Sequence, residues 1–109
     1  MKSPRLIAPL AFTTALVGMP FAAPAGLKSI TFAGGDGSTM DKAVVIKGAT
    51  EATGVHAEYE WLTKHFPGYK MKEQALTSRN GRSYDVLHFT TPDGKAHEVY
   101  FDITDFFGK

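Results

Sequence analysis

The sequence predicts an α+β domain: one helix packed on an antiparallel sheet of three or four strands, in chain order β-α-β-β-β. Three observations carry that prediction. A single amphipathic stripe runs through Val55, Tyr59, Leu62 and Phe66 and stops at Pro67-Gly68. Two turn signals follow, Asn80-Gly81 and Pro92-Asp93-Gly94, and they separate runs rich in β-branched and aromatic residues. A short apolar run, Ala43 to Ile46, precedes the helix.

Before these elements comes a segment with the layout of a cleavable secretory signal. Lys2 and Arg5 precede an uncharged apolar stretch from Leu6 to Ala23, which exits through the small residues of Ala23-Pro24-Ala25. Residues 1–25 are therefore expected to be removed ahead of Gly26. The rival reading is an uncleaved anchor, but Pro9, Gly18 and Pro20 interrupt a stretch barely as long as the roughly 20 residues a bilayer requires. A periplasmic or secreted location follows, with no membrane attachment once the signal is gone. Cleavage also alters the charge. Of 12 Lys+Arg, the loss of Lys2 and Arg5 leaves 10 against 11 Asp+Glu. No basic field remains to draw a nucleic acid or an anionic membrane.

Residues 26–41 read as a flexible lead, with Gly34-Gly35-Asp36-Gly37-Ser38-Thr39 at its centre and Leu27, Ile30 and Phe32 as a possible short strand or docking stretch. No Gly-Lys-Ser/Thr accompanies the glycines, which argues against a phosphate-binding loop. Residues 42–109 form the single α+β domain. Ala43-Val44-Val45-Ile46 is continuous apolar sequence, as for a strand buried mid-sheet. The helix follows, with Glu60 and Lys64 at i, i+4 on another face. It ends at Phe66, because the residue before a proline is driven out of the α region.

Tyr69 to Ser78, Ser83 to Thr91 and Ala96 to Ile103 then form a meander. Its second register is open between two alternatives. A two-residue turn sets Tyr84, Val86 and His88 opposite Ile103, Phe101 and Val99. A three-residue turn with a glycine bulge sets Leu87 and Phe89 opposite Val99 and His97. A one-residue slip exchanges the two faces of the sheet. In either register one face meets the helix, and the second must meet the Ala43–Ile46 strand, the C-terminal phenylalanines or a partner.

The composition limits the chemistry. A chain this short buries only about 60–65% of its unfolded surface. It has no cysteine with which to staple itself, so aromatic side chains between Phe32 and Phe107 are expected to supply the core. Thiol catalysis and cysteine-based zinc sites are excluded. His56 and Glu60 share a helix face, but spacing brings no third ligand to them, and no cofactor is expected. Asp85 and Asp102 lie on adjacent strands and would face each other across a two-residue turn, yet solvent-facing carboxylates are the plainer reading. Gly-x-Ser-x-Gly is absent.

The stretch Phe66-Pro67-Gly68-Tyr69, Tyr84-Asp85-Val86, Asp93-Gly94-Lys95 and Val99-Tyr100-Phe101-Asp102 resembles PepSY-type domains. There a helix ends near Pro-Gly, a Tyr-x-Val strand follows, and an Asp-Gly turn leads to a strand closing on Asp. The same α-β-β-β unit occurs in inhibitor proteins of β-lactamases. Where the family closes on Asp-x-x-x-Gly, this chain runs Asp102-Ile103-Thr104-Asp105-Phe106-Phe107-Gly108. The resemblance implies an exported domain that binds or restrains a partner, with no catalytic residue to carry over.

The expectation is thus a non-enzymatic binding module with a protein partner, contacted through the second sheet face or an exposed edge. Trp61, Leu87, Phe89, Tyr100, Phe106 and Phe107 are the candidate binding residues. A small hydrolase or metal-dependent enzyme built on His88, His97, Glu98 and Asp102 is one alternative. The other is a homo-oligomeric structural protein that buries the same face against itself.

Overall fold

In a computed structural model, which describes residues 29–109, one helix lies across one face of a five-stranded mixed sheet. The strands are β1 (Thr31–Gly34), β2 (Val44–Lys47), β3 (Lys70–Arg79), β4 (Arg82–Thr90) and β5 (Ala96–Asp102), and the helix α1 is Glu51–His65. Their order across the sheet is β1-β2-β5-β4-β3. The expected signal, residues 1–25, lies outside the described residues. Among those described, no helix is long and apolar enough to cross a membrane.

The α+β class and the single helix are as the sequence predicts, and the sheet differs from the expectation in two ways. It has five strands, because part of the expected flexible lead pairs antiparallel with β2, Phe32 opposite Ile46. The Gly-rich loop that follows is held by its backbone. Gly35 and Gly37 donate to the carbonyls of Ala43 and Lys42, and Tyr100 N–H donates to Gly37 O at 2.8 Å. The sheet is also mixed, since β2 lies parallel to β5, Val44 opposite Phe101. A helix crossing from β2 to the far edge leaves the central position beside β2 open, and the last strand fills it.

The hairpin turns fix the rest. Asn80 and Gly81 both take positive φ, 53° and 78°, which is the two-residue turn that the Asn-Gly pair favours. At the second turn Thr91 N–H donates to Lys95 O, and Gly94 has φ 85°. Pro92-Asp93-Gly94 is therefore a three-residue turn, which sets Leu87 opposite Val99 and Phe89 opposite His97. Of the two registers the sequence allows, this is the second.

That register sends Leu87, Phe89, Val99 and Phe101 toward α1. They form the core with Val44, Ile46, Trp61, Leu62, Ile103 and Phe106. The helix starts earlier than its apolar stripe suggests, at a Thr50 cap whose side chain accepts from Thr53 N–H while Thr53 Oγ1 accepts from Thr50 N–H. Its buried face is Gly54, Ala57, Glu58, Trp61 and Leu62. Val55, first residue of the expected stripe, is 39% exposed. Gly54 lies inside the helix because the Phe106 ring packs directly on its backbone, where a Cβ would stand.

The C-terminal turn closes over the start of the helix. Gly48 N–H donates to Asp105 Oδ2 and Gly108 N–H to Glu51 Oε2. On the opposite face of the sheet, Val45, Tyr84, Val86 and Tyr100 form a partly buried centre. Met40, Asp41 and Lys42 close over one end of it beside Tyr84 and Arg82, and Asp41 pairs with Arg79.

Candidate functional site

Most of the residues expected to form a binding face instead build the core. Leu87 and Phe89 are fully buried under α1, because the three-residue turn directs them to the helix. Phe106 is buried against Gly54. Trp61 is 8% exposed, stacked on His65 at 3.9 Å and set edge-on to Phe101 at 5.4 Å. Tyr100 is half-buried on the opposite face, its hydroxyl donating to Glu98 Oε2 at 2.9 Å. Phe107 is 42% exposed.

The residues of the enzymatic alternative are divided between the two faces. His88 and Glu98 meet across β4 and β5 at 3.4 Å on the face away from the helix. His97 faces the helix, bonded to Thr91 Oγ1 at 3.0 Å and stacked on Phe89 at 5.4 Å. Burial pushes the Asp102 carboxyl up, but bonds from Arg82 Nε at 2.6 Å and from Thr104 outweigh it and hold it below the usual range. Asp85 and Asp102 do not face each other, since Asp85 opposes Phe101 and Asp102 opposes Tyr84. His56 and Glu60 form an exposed pair at 3.3 Å. Among the described residues, no three or more His, Cys, Asp or Glu side chains gather as metal ligands.

A different constellation stands out at the N-terminal half of α1. Four large hydrophobic side chains among the described residues are exposed: Phe32, Val55, Leu76 and Phe107. Three of them, Val55, Leu76 and Phe107, wall one groove of about 330 Å³ together with Ile103 and Phe106. Leu76 is 56% exposed and belongs to β3, one of the two outermost strands, so the groove opens beside a sheet edge that no other described strand pairs with. Strand alternation places Leu76 and Gln74 on the helix side of that edge, opposite Asp85 and Leu87.

The floor of the groove is polar. Asp85, 5% exposed, lines it with Gln74. Tyr59 Oη donates to Gln74 Oε1 at 2.9 Å, and Gln74 Nε2 donates to Asp85 Oδ2 at 2.7 Å. Beside Asp85 lies Glu58, fully buried, whose two carboxyl oxygens find no donor among the described residues. Two carboxylates are acceptors only, so the pair is satisfied when Glu58 keeps its proton and donates to Asp85. Burial, then that hydrogen bond, then the charge of Asp85 push the Glu58 carboxyl up to about 10. Burial, with the negative charge of Glu58 next, raises the Tyr59 hydroxyl as well.

Comparison with family models, with curated proteins and with solved structures finds no match.

Glu58 escaped sequence reasoning because a charged residue in mid-helix is ordinarily placed in solvent. The signal that finds it is positional: Glu58 stands four residues after Gly54 and four before Leu62, on the stripe that holds Trp61. A larger cleft, of about 690 Å³, lies at the other end of the helix between Phe32, Trp61, Phe66, His97 and Val99. Trp61 contributes to that cleft rather than to the groove.

Proposed function

We propose that this chain is an exported, non-enzymatic binding module that takes up an extended segment of a protein partner along β3. The segment adds as a sixth strand, and one of its side chains anchors between Val55, Leu76 and Phe107. The observation that carries this reading is the meeting of three exposed large hydrophobics beside a strand edge unpaired among the described residues. An added strand pairs with the outward main-chain groups of β3, and every second side chain then falls on the helix side, over the groove. Export rests on the signal-like layout of residues 1–25, and its check is the N-terminus of the mature protein, expected at Gly26. The likeness to PepSY-type domains supports the same reading and adds that the partner is an enzyme this module restrains.

The test is photocross-linking in cells, with a photoreactive residue at Leu76 on β3 or at Thr31 on the opposite edge. Position 76 should yield one partner that position 31 does not. Equal yield from both positions, or none from position 76, overturns the reading.

A second reading comes from the larger cleft, whose volume falls within the roughly 300–1,000 Å³ of small-molecule sites. Its aromatic floor suits a flat apolar ligand. Amide shifts confined to Trp61, His65 and His97 on adding such compounds would favour it over the groove.

A further inference from the structure

Resting on the groove reading above, we propose that the anchoring side chain is a cation on an apolar stem, a lysine or arginine of the partner segment, with Asp85 as its counter-ion. The walls and the floor ask for different chemistry. Val55, Leu76, Ile103, Phe106 and Phe107 supply apolar surface along the length of the groove. At its base is the carboxyl group of Asp85, with that of Glu58 buried beside it, and none of the ion pairs among the described residues involves either of them. Asp85 has neutral Gln74 as its hydrogen-bonding partner, and Glu58 has none unless it is protonated. The proton of Glu58 and the amide of Gln74 give Asp85 its hydrogen bonds, but its charge has no opposite charge paired with it among the described residues, and a cation would supply one.

Lysine and arginine side chains fit both parts, because their methylene stems pack on apolar surface while the charged head reaches a polar end. A neutral apolar anchor would fill the walls and leave Asp85 without a cation. An acidic anchor would set a second negative charge against that of Asp85. Among the described residues, the surroundings offer no internal substitute. Helix α1 faces the pair with Tyr59 and places Glu51 at the rim, β3 contributes Gln74 and Leu76, and the C-terminal turn contributes Ile103, Phe106 and Phe107. A cation arriving beside Asp85 also weakens the hold of Glu58 on its proton, so uptake is expected to release protons and to tighten as pH rises.

The test uses protein expressed from the full-length sequence and three probes of one chain length: n-hexylammonium, n-hexanol and n-hexanoate. Binding is followed by amide and side-chain NMR, with the Gln74 Nε2 protons as reporter. The ammonium should bind at least ~10-fold more tightly than the alcohol, the carboxylate should bind least, and Asp85→Asn should remove the ammonium's advantage. Equal binding of ammonium and alcohol, or preference for the carboxylate, overturns the proposal, and this comparison on the unaltered protein stands even if Asp85→Asn does not fold. The two readings fail separately. A partner cross-linked at position 76 whose contacting segment has neither lysine nor arginine sinks the cation site and leaves the binding module. Ammonium binding with no cross-linked partner does the reverse.

Discussion

Toward the end of α1, the interface between helix and sheet is made of rings. Trp61 meets Phe101 edge-on, Phe66 meets Phe89 at 5.0 Å, and Phe89 stacks on His97. Toward the beginning of α1, the same two layers enclose Glu58 and Asp85, and Val55, Leu76 and Phe107 remain in solvent above them. Both halves lie on one helix and one sheet. The first half buries apolar surface and leaves few polar groups unpaired, which is what a core maximises. The second does the opposite on both counts: it keeps apolar surface exposed and buries carboxyl groups. Where a small domain without disulfides gives up stability in one place, a binding role is the natural reading of that place.

The sharpest way to break this contrast is to cut into the aromatic half. Phe101→Ala should cost about 3–5 kcal/mol in urea unfolding, because Phe101 is fully buried at the centre of the core. A loss below about 1 kcal/mol would show that the aromatic half does not hold the fold together.

The next effect is one of pH. Glu58 binds its proton more tightly in the folded protein, at about 10 against an ordinary 4.5, so between those values the native state carries more protons than the unfolded chain. Its contribution is complete below about pH 4.5 and declines as pH rises toward 10, by at most ~1.4 kcal/mol per pH unit. Asp102 acts in the opposite sense, since its lowered carboxyl gives stability that is lost only in acid. Glu58→Gln should therefore flatten the alkaline limb of a stability-against-pH profile and leave the acid limb in place. An unchanged alkaline limb would mean that the buried half carries no extra proton.

Gly54 joins the two halves. Alanine at a helix interior ordinarily gains about 1 kcal/mol over glycine, but here its Cβ would run into the Phe106 ring. Gly54→Ala should instead lower stability by about 1–3 kcal/mol and displace the C-terminal turn, visible as altered Phe106 and Phe107 ring shifts. The smallest effect on folding is expected at the groove wall. Val55→Ser should leave stability within about 0.5 kcal/mol while abolishing partner binding, a separation that calorimetry and cross-linking from position 76 read independently.

What could be read from the sequence, and what could not, divides along physical lines. The helix stop at Pro67-Gly68 and the turns at Asn80-Gly81 and Gly94 were legible because positive φ and the pre-proline restriction act on single residues. The register of β4 on β5 was narrowed to two alternatives by the same turn chemistry, and the hydrogen bond from Thr91 to Lys95 selects one. A short strand around Phe32 was one of two readings of the lead, and the sequence did not choose between them because Thr31–Gly34 is short, exposed along its length and followed by glycines that look like linker. The parallel pairing of β2 with β5 depends on how far the helix crosses the sheet, which no local pattern records. The candidate site was the least legible part. Leu87 and Phe89 looked like an interface while the register was open, and Glu58 looked like solvated helix surface.

The most direct test of the account is a carbon-detected NMR titration of the Glu58 carboxyl, with and without n-hexylammonium. The account predicts a Glu58 that stays protonated past pH 8 in the free protein and loses its proton at lower pH once the ammonium is bound. A Glu58 that titrates in the ordinary carboxylate range, unmoved by the ammonium, would contradict it.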